Sequence, residues 1–296
     1  MSPAPFLGVG LLYQPALDGL LSSDAWPADY LEVIPDTLWH DAGRSATPRF
    51  VVDDGTRRLL EDVRSRMPIL MHGIGLSIGS ADELDPEYVD QFVAWAEWLD
   101  CPWTSEHLAY CTSSEDDTGI NVGLTLPVAL ERATEEHVGV RVQEMRRRLG
   151  RRFLLENNVY YFETTQEELT EPELLNRLCA DWDGGVLLDL HNLHVNVRNG
   201  VTDAATYLDE LDLTRVREIH IAGGAELDGF YVDAHSGAPP QEVWDLLDEV
   251  APRCPNLGGI TFELLGSWFD LVGETGTTEV LDRARQSMAA AAAVPS

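Results

Sequence analysis

Histidine, carboxylate and amide side chains recur where the short apolar runs of this sequence end. Six of the eight histidines lie there, and only His40 and His137 lie elsewhere. The candidate site residues are Glu32, His72, Glu106, His107, Glu156, Asn157, Asp189, His191, Asn192, His194, His220, Asp233, His235 and Glu263. Imidazole nitrogens and carboxylate oxygens, without cysteine, are the ligand set of zinc, manganese and non-heme iron. These residue types therefore predict a metal site.

The number of candidates predicts more than one metal ion. Acidic side chains gathered in one pocket would repel one another, at a cost of several kcal/mol for each uncompensated ion, and bound cations offset that cost. A single ion needs only about four to six ligands. We expect His191 and His194 to lie around the ligands, because alternate residues of a strand point to opposite sides. His40 and His137 are expected to lie away from the site.

The elements that must position these residues form a repeating pattern. Eight short apolar runs alternate with longer segments of helical periodicity, which is typical of parallel strands joined by crossover helices. The predicted strands are Phe6–Tyr13, Tyr30–Pro35, Pro68–Gly73, Trp103–Leu108, Phe153–Asn158, Gly185–Leu190, Glu218–Gly223 and Gly259–Leu264. The pattern predicts an α/β fold, a (β/α)8 TIM barrel, whose active site lies at the C-terminal ends of the strands.

The chain length suits one such barrel. At 296 residues it accommodates a barrel of roughly 250 residues with its loops. We predict a single domain over residues 1–296, with a core at about residues 6–288 and a short alanine-rich tail at the C-terminal end. The longest predicted helix is Pro127–Leu149, which ends in three arginines that suit the negative end of the helix dipole.

The composition argues against several classes of function. The net charge of −31 is unfavourable for a nucleic-acid partner or an anionic membrane surface. The sequence contains no lysine, which removes Walker-type phosphate binding, Schiff-base aldolase chemistry and lysine-linked pyridoxal phosphate. No apolar run approaches the roughly 18 to 20 residues of a membrane span, and the first residues lack the pattern of a signal peptide. We expect a cytoplasmic protein without a nucleic-acid or membrane partner.

Six motifs spread along the chain carry a family resemblance. They are His72–Gly79 (HGIGLSIG), Ser105–Leu108 (SEHL), Leu155–Asn157 (LEN), Leu187–Asp189 (LLD) with Asn192 three residues on, Glu218–Gly223 (EIHIAG) and Asp233–Gly237 (DAHSG). In this order they resemble the multinuclear non-heme iron-dependent oxidases, a family of TIM barrels like the methanobactin biosynthesis enzyme. The resemblance covers nearly the whole chain.

The resemblance implies a set of metal ligands. They are His72, His107, Glu156, Asp189, His220, Asp233, His235 and Glu263, with Asn192 as a ninth candidate. Among these, we expect Glu156, Asp189 and His235 to take part in the reaction itself. We expect a further group of side chains to surround the ligands, namely Glu32, Glu106, Asn157, His191 and His194.

The resemblance also implies the chemistry. Members of the family hold two or three iron ions of mixed Fe(II) and Fe(III) valence and use dioxygen as a co-substrate. Many modify ribosomally made precursor peptides, often at cysteine, in natural-product biosynthesis. A separate partner protein often presents the peptide. The sequence thus predicts an iron- and dioxygen-dependent oxidoreductase that acts on a peptide.

The sequence departs from the family pattern in two places. Leu264 and Leu265 follow the glutamate of the eighth strand, where the family commonly has arginine and aspartate. Near the sixth strand, His191 and His194 replace the more usual asparagine and tyrosine. The first change removes an acidic residue from beside the metals, and the second adds imidazoles that could bind a metal or hydrogen-bond to a ligand.

Two other functions fit the same residues. Metal-dependent sugar isomerases and epimerases use similar ligands on the barrel of xylose isomerase. A non-catalytic metal-binding partner in a peptide-modification system would also need the metal ligands. Metal identity, dioxygen consumption and sugar turnover distinguish these alternatives.

Overall fold

Eight parallel strands form a closed barrel in the computed structural model, which describes residues 5–23, 26–113, 120–161, 167–180 and 184–292. In chain order the barrel strands are β1 Gly8–Leu12, β2 Tyr30–Val33, β3 Ile69–Gly73, β4 Trp103–His107, β5 Arg152–Glu156, β6 Gly184–Asp189, β7 Val216–Ile221 and β8 Gly259–Phe262. Each strand pairs with the next, and β8 pairs with β1 to close the barrel. The predicted TIM-barrel fold is confirmed, and every predicted strand overlaps an observed one.

Helices follow the strands, and several of them begin at a side-chain cap. Their bounds are Asp18–Leu21, Asp54–Arg66, Pro86–Leu99, Arg132–Leu149, Glu171–Leu178, Leu190–Arg198, Ala204–Glu210, Gln241–Val250 and Gly266–Ala292. Asp85 caps the third of these helices, and its carboxylate accepts hydrogen bonds from the backbone N–H groups of Glu87 and Tyr88. Thr170 and Glu173 form a reciprocal capping box at the fifth.

Two predicted helical boundaries differ from the structure. The helix predicted from Pro127 begins at Arg132, because Ile120–Pro127 pairs with Ala109–Ser113 as an antiparallel hairpin beyond β4. Apolar residues of this hairpin resemble the start of a helix when pairing partners are unknown. The alanine-rich segment predicted to form a tail continues the last helix to Ala292. That helix is interrupted at Gly273, whose φ of 68° is left-handed.

The interior of the barrel changes from apolar to polar towards the C-terminal ends of the strands. Tyr30, Leu70, Trp103, Leu154 and Leu187 form a small buried cluster separate from the main core. Two residues further along these strands, the same inner face carries Glu32, His72, Ser105, Glu156 and Asp189. Because side chains of a strand alternate, the inward positions place these polar groups together at one end of the barrel.

Among the described residues, no helix is both long enough and apolar enough to span a membrane.

Two further short antiparallel sheets lie outside the barrel, formed by His40–Asp41 with Phe50–Val51 and by Ala225–Leu227 with Phe230–Val232. The second of these follows β7 and precedes Asp233 and His235. The position of this sheet therefore determines where the loop that carries these two candidate ligands begins.

Candidate metal centre

The first group of candidate ligands comes from three adjacent strands, β3, β4 and β5. Oε2 of Glu156 lies 2.7 Å from Nδ1 of His107 and 3.3 Å from Nε2 of His72. The Nε2 atoms of His72 and His107 lie 3.2 Å apart. One ligand atom from each of the three residues falls within 4.8 Å of the others, a spacing that a single metal ion could bridge.

The second group shares Glu156 with the first. It contains Glu156, Asp189, His220 and Glu263, all buried. Nδ1 of His220 lies 3.3 Å from Oε2 of Glu263 and 3.6 Å from Oε1 of Glu156. The two oxygens of Glu156 therefore face different groups, as expected of a carboxylate that bridges two ions.

The third group lies beside the second and combines a helix with a loop. Oδ1 of Asp233 lies 2.9 Å from Nδ1 of His191 and 2.9 Å from Nε2 of His235. Nε2 of His235 is also 3.4 Å from Oε2 of Glu263, which connects the third group to the second. His235 has a positive φ of 45°, so the loop holds this residue in a sparsely populated conformation at the site.

His191, Asn192 and His194 lie on a helix and not on the sixth strand, which corrects the expectation from strand alternation. Asp189 ends β6 and also caps the helix Leu190–Arg198, with Oδ1 accepting a hydrogen bond from Asn192 N at 2.7 Å. On the first helical turn His191 can turn towards Asp233. His194, one turn later, packs its ring against Tyr231 at a centroid distance of 5.2 Å.

The chemistry of the donor atoms fits bound cations. Among the described residues, several buried polar atoms lack a partner in hydrogen-bond geometry. They are His107 Nδ1 and Glu156 Oε2, which lie 2.7 Å from each other, Asp189 Oδ2, His220 Nδ1, and Asn192 Oδ1 beside the three groups. Unpaired buried polar atoms are costly, and they are rare in native proteins. Their convergence at the mouth of the barrel is what ligands of metal ions require.

The pKa values of the buried carboxylates are strongly shifted. Burial alone would raise the pKa of Glu156, but His107 and His72 hold this pKa well below its ordinary value. Burial similarly opposes ionisation of Glu263, yet His220 and His235 lower the pKa of Glu263 to about 2. Asp189 differs, because burial and the neighbouring Glu156 and Glu263 raise its pKa well above the ordinary value. A cation beside Asp189 would remove the reason for that increase.

The imidazoles show the complementary effect. Although burial disfavours a charged ring, Asp233 and Glu263 raise the pKa of His235 to about 10. Glu32 and Glu263 likewise raise the pKa of His220 well above its ordinary value. Without metal, protons on these rings offset part of the carboxylate charge. The three groups therefore favour positive charge, and a metal ion would compete with protons for the imidazole nitrogens.

Two predicted surrounding residues, Asn157 and Glu32, hydrogen-bond to candidate ligands. Asn157 accepts a hydrogen bond from Asp189 N at 2.7 Å and donates to Asp189 O at 2.9 Å. Asn192 donates to Asn157 O at 3.0 Å. Both carboxylate oxygens of Glu32 lie near His220 Nε2, at 3.1 and 3.4 Å.

Two other candidates belong to none of the three groups. Glu106 lies on the face of β4 opposite to His107, and a Cβ atom built on Gly73 would come within 2.3 Å of its Oε2 atom. Burial and Asp36 raise the pKa of Glu106 well above its ordinary value, so its surroundings favour the neutral acid. His194 lies next to Tyr231 and belongs to none of the groups. As expected, His40 and His137 are exposed and lie away from the site.

Sequence reasoning missed Ser105 and Glu218. Oγ of Ser105 lies 2.9 Å from His72 Nδ1, and Glu218 is fully buried beneath His220. Each precedes a candidate ligand of its own strand by two residues, Ser105 before His107 and Glu218 before His220. Strand alternation places residues two apart on the same face, so the positions were readable from the sequence.

The fold and the clustered side chains define a TIM-barrel protein with a site suited to metal ions. Solved structures of similar fold include an L-ribulose 3-epimerase, with a TM-score of 0.58, 12% identity and coverage of 96% of this chain and 95% of that one. Endonuclease IV from Thermus thermophilus matches with a TM-score of 0.56, 17% identity and coverage of 96% and 99%. At such identities the likeness shows the fold alone.

The family follows from sequence comparison. The profile of the RiPP precursor modification enzymes MbnB/TglH/ChrH matches residues 7–264, where RiPP denotes a ribosomally synthesised and post-translationally modified peptide. The chain belongs to this metal-dependent enzyme family.

Curated relatives match over most of the chain. A UPF0276 protein from Neisseria gonorrhoeae is 31% identical over 252 residues, which cover 84% of each chain. Another from Caulobacter vibrioides is 31% identical over 254 residues, covering 86% of this chain and 85% of that one.

Proposed function

We propose that this protein is a multinuclear non-heme iron-dependent oxidase that uses dioxygen to modify a ribosomally made precursor peptide at cysteine. The observation that carries the proposal is the composition of the three ligand groups. Two of them contain two histidines and one carboxylate, the set typical of non-heme Fe(II) sites with open positions. The group between them contains three carboxylates and one histidine and suits a harder, more highly charged ion such as Fe(III).

The ligands in this proposal are His72, His107, Glu156, Asp189, His220, Asp233, His235 and Glu263, with His191, the second histidine of the third group, and Asn192 Oδ1 as further candidates. When bound, iron would supply dioxygen binding, one-electron redox change and a Lewis acid for the cysteine thiolate. Glu156 and Glu263 would keep neighbouring ions together, since each faces two groups. Burial of His72, Glu156, Asp189, His220 and Glu263 would exclude water from the metals on their side. The other three ligands, His107, Asp233 and His235, are partly exposed.

The peptide would approach from the C-terminal mouth of the barrel. This chain places Leu265 and Trp268 there, partly exposed, directly after Glu263. They stand near the position where the family commonly has arginine and aspartate, so we propose that this wall of the site is apolar in this member. We further propose that a separate protein helps to present the peptide, because the described residues are accounted for by the barrel, its helices and short hairpins.

Anaerobic purification followed by elemental analysis and Mössbauer spectroscopy tests the proposal. We expect at least two irons per chain and dioxygen consumption that requires a cysteine-containing precursor peptide, such as one encoded in a neighbouring reading frame. A Cys→Ser precursor is the matched control and should not be modified. Zinc or manganese with sugar turnover would instead support an epimerase, whose fold this chain shares. Full function of a His72→Ala variant in the producing cell would support a non-catalytic role.

A further inference from the structure

His72 and His220 present opposite ring nitrogens to the ligand groups. Nε2 of His72 lies 3.3 Å from Glu156 Oε2 and 3.2 Å from His107 Nε2. For His220 the nitrogen on that side is Nδ1, which lies 3.3 Å from Glu263 Oε2. In each ring the remaining nitrogen faces a partner outside the groups, Ser105 for His72 and Glu32 for His220.

The hydroxyl of Ser105 selects one tautomer of His72. Oγ of Ser105 lies 2.9 Å from His72 Nδ1 and 3.5 Å from the carbonyl oxygen of Met71. The carbonyl can only accept, so the hydroxyl hydrogen is directed to Met71 and Oγ is left to accept from His72 Nδ1–H. With the proton on Nδ1, the lone pair of Nε2 is available on the side of Glu156.

The carboxylate of Glu32 selects the other tautomer at His220. Glu32 is fully buried, and its oxygens lie 3.1 and 3.4 Å from His220 Nε2. A carboxylate at that distance accepts the Nε2–H, which leaves the Nδ1 lone pair facing Glu263 and Glu156.

Glu218 is buried next to His220, and its two carboxylate oxygens already accept hydrogen bonds from other residues. Trp103 Nε1 donates to Glu218 Oε2 at 2.7 Å, and Thr261 Oγ1 donates to Glu218 Oε1 at 2.7 Å. A metal ion held by Glu32, Glu218 and His220 would have to displace these donors. The two buried glutamates therefore serve as hydrogen-bond acceptors beneath the ligand groups and not as a further metal site.

We propose that Ser105 and Glu32 are positioning residues that make His72 bind metal through Nε2 and His220 through Nδ1. The inference rests on the proposed metal site but not on iron or dioxygen chemistry. Outer hydrogen-bond partners of this kind fix the orientation and tautomer of a metal-binding histidine, and their loss typically weakens metal binding about 10- to 100-fold.

The first test determines which nitrogen is metallated. Protein with 15N-labelled histidine is loaded with Zn(II) alone, a diamagnetic probe, and the two-bond couplings from the ring protons to each nitrogen are measured. Zinc on Nε2 of His72 and on Nδ1 of His220 is the expected result. The opposite nitrogen at either histidine would overturn the inference for that residue.

The second test measures Zn(II) affinity by competition with a chromophoric chelator. Ser105→Ala and Glu32→Leu should bind zinc about 10- to 100-fold more weakly than the wild type. Thr104→Val is the matched control for the serine, because Thr104 is equally buried, lies on the opposite face of the strand and has no hydrogen-bond partner for its hydroxyl among the described residues. Glu32→Gln keeps an oxygen that can accept from Nε2–H and should restore binding to near the wild-type level.

Wild-type affinity in both Ser105→Ala and Glu32→Leu would contradict a positioning role. Thermal unfolding of each metal-free variant shows whether it is folded, and if Glu32→Leu is not, Ser105→Ala decides. A wild-type protein that binds no zinc would overturn the inference together with the metal site. Normal zinc binding, together with an iron-loaded protein that consumes no dioxygen, would instead leave the inference intact and count against the proposed oxidase.

Discussion

Asp189 accepts a hydrogen bond from the backbone N–H of Asn192 through Oδ1 at 2.7 Å, while its Oδ2 has no hydrogen-bond partner in the part of the chain that the structure describes. One oxygen of a single buried carboxylate thus caps a helix, and the other faces the ligand groups. The strand end, the helix start and the candidate metal site are therefore fixed by the same side chain. This double use makes the structural and metal-binding roles of Asp189 separable by substitution.

Asp189→Asn should separate these roles. The amide retains an oxygen for the cap, so we expect the metal-free variant to unfold within about 1 kcal/mol of the wild type, whereas Asp189→Ala loses the cap at a further cost of about 1 kcal/mol. Both should lose metal from the carboxylate-rich group. Denaturant unfolding and elemental analysis check the two effects, and equal metal content in Asp189→Asn and the wild type would contradict the assignment.

Glu156→Ala should remove more metal than His72→Ala. Glu156 faces two groups through its two oxygens, whereas His72 belongs to one. We expect the glutamate variant to lose two ions per chain and the histidine variant one, measured by elemental analysis after reconstitution under identical conditions. The same loss in both variants would show that Glu156 does not bridge.

Glu106→Gln should leave metal content unchanged. Glu106 lies on the outer face of its strand, beside Gly73 and Phe92. It belongs to none of the groups that the described residues form. Its surroundings already favour the neutral acid, so the neutral amide is a close substitute. A metal loss comparable to that of Glu156→Ala would restore the sequence-based expectation that Glu106 supports the site.

Metal removal should destabilise the folded protein. A ligand that binds only the folded state at 100 times its Kd contributes about 2.7 kcal/mol, which corresponds to roughly 4 °C in Tm for a protein of this size. Calorimetry before and after exhaustive chelation measures the change. An unchanged or higher Tm after chelation would mean that the buried carboxylates do not depend on cations.

The stability of the protein should depend on pH through Glu171, which lies outside the candidate ligands. Burial raises the pKa of Glu171 from 4.5 to about 7, although Asn158 N and the hydroxyls of Tyr207 and Tyr160 donate to it. Between those values the folded state holds a proton that the unfolded state has released. The contribution of Glu171 to stability is therefore present at low pH and falls as pH rises from about 4.5 through 7, by up to about 3 kcal/mol.

Glu171→Gln should abolish this dependence, because an amide does not titrate. We expect the difference in unfolding free energy between wild type and variant, measured with denaturant in the metal-free state, to shift in favour of the variant between pH 5 and pH 8. A difference that is the same at both pH values would show that Glu171 ionises normally.

The barrel was predictable because its strands are buried on both faces and read as apolar runs between helical segments. Most of the candidate ligands were predictable for the same reason, since they follow those runs. The sequence placed His191 on the sixth strand, whereas it lies on a helix. Asp189 is the last residue of the strand and also the N-cap of that helix, and the sequence pattern does not distinguish the two roles. Once the helix is recognised, His191 and Asp233 can meet.

Glu106 and Glu218 show why the inward-facing residues of a strand were harder to predict than the strand itself. Both are acidic residues of apolar strands, and neither residue type says which face is inward. His107 and His220, which the sequence marks as candidate ligands, fix the alternation on each strand. Counting two residues back from them places Ser105 and Glu218 inside and Glu106 outside. The choice of ligating nitrogen, by contrast, depends on distances that only the folded barrel supplies.

Anomalous diffraction at the iron edge from anaerobically prepared crystals tests the central claim most directly. We predict anomalous peaks within ligand distance of Glu156, one on the side of His72 and His107 and one on the side of Asp189 and His220, with a third position between Asp233 and His235. Iron-replete protein whose crystals show no iron among these residues would contradict the account.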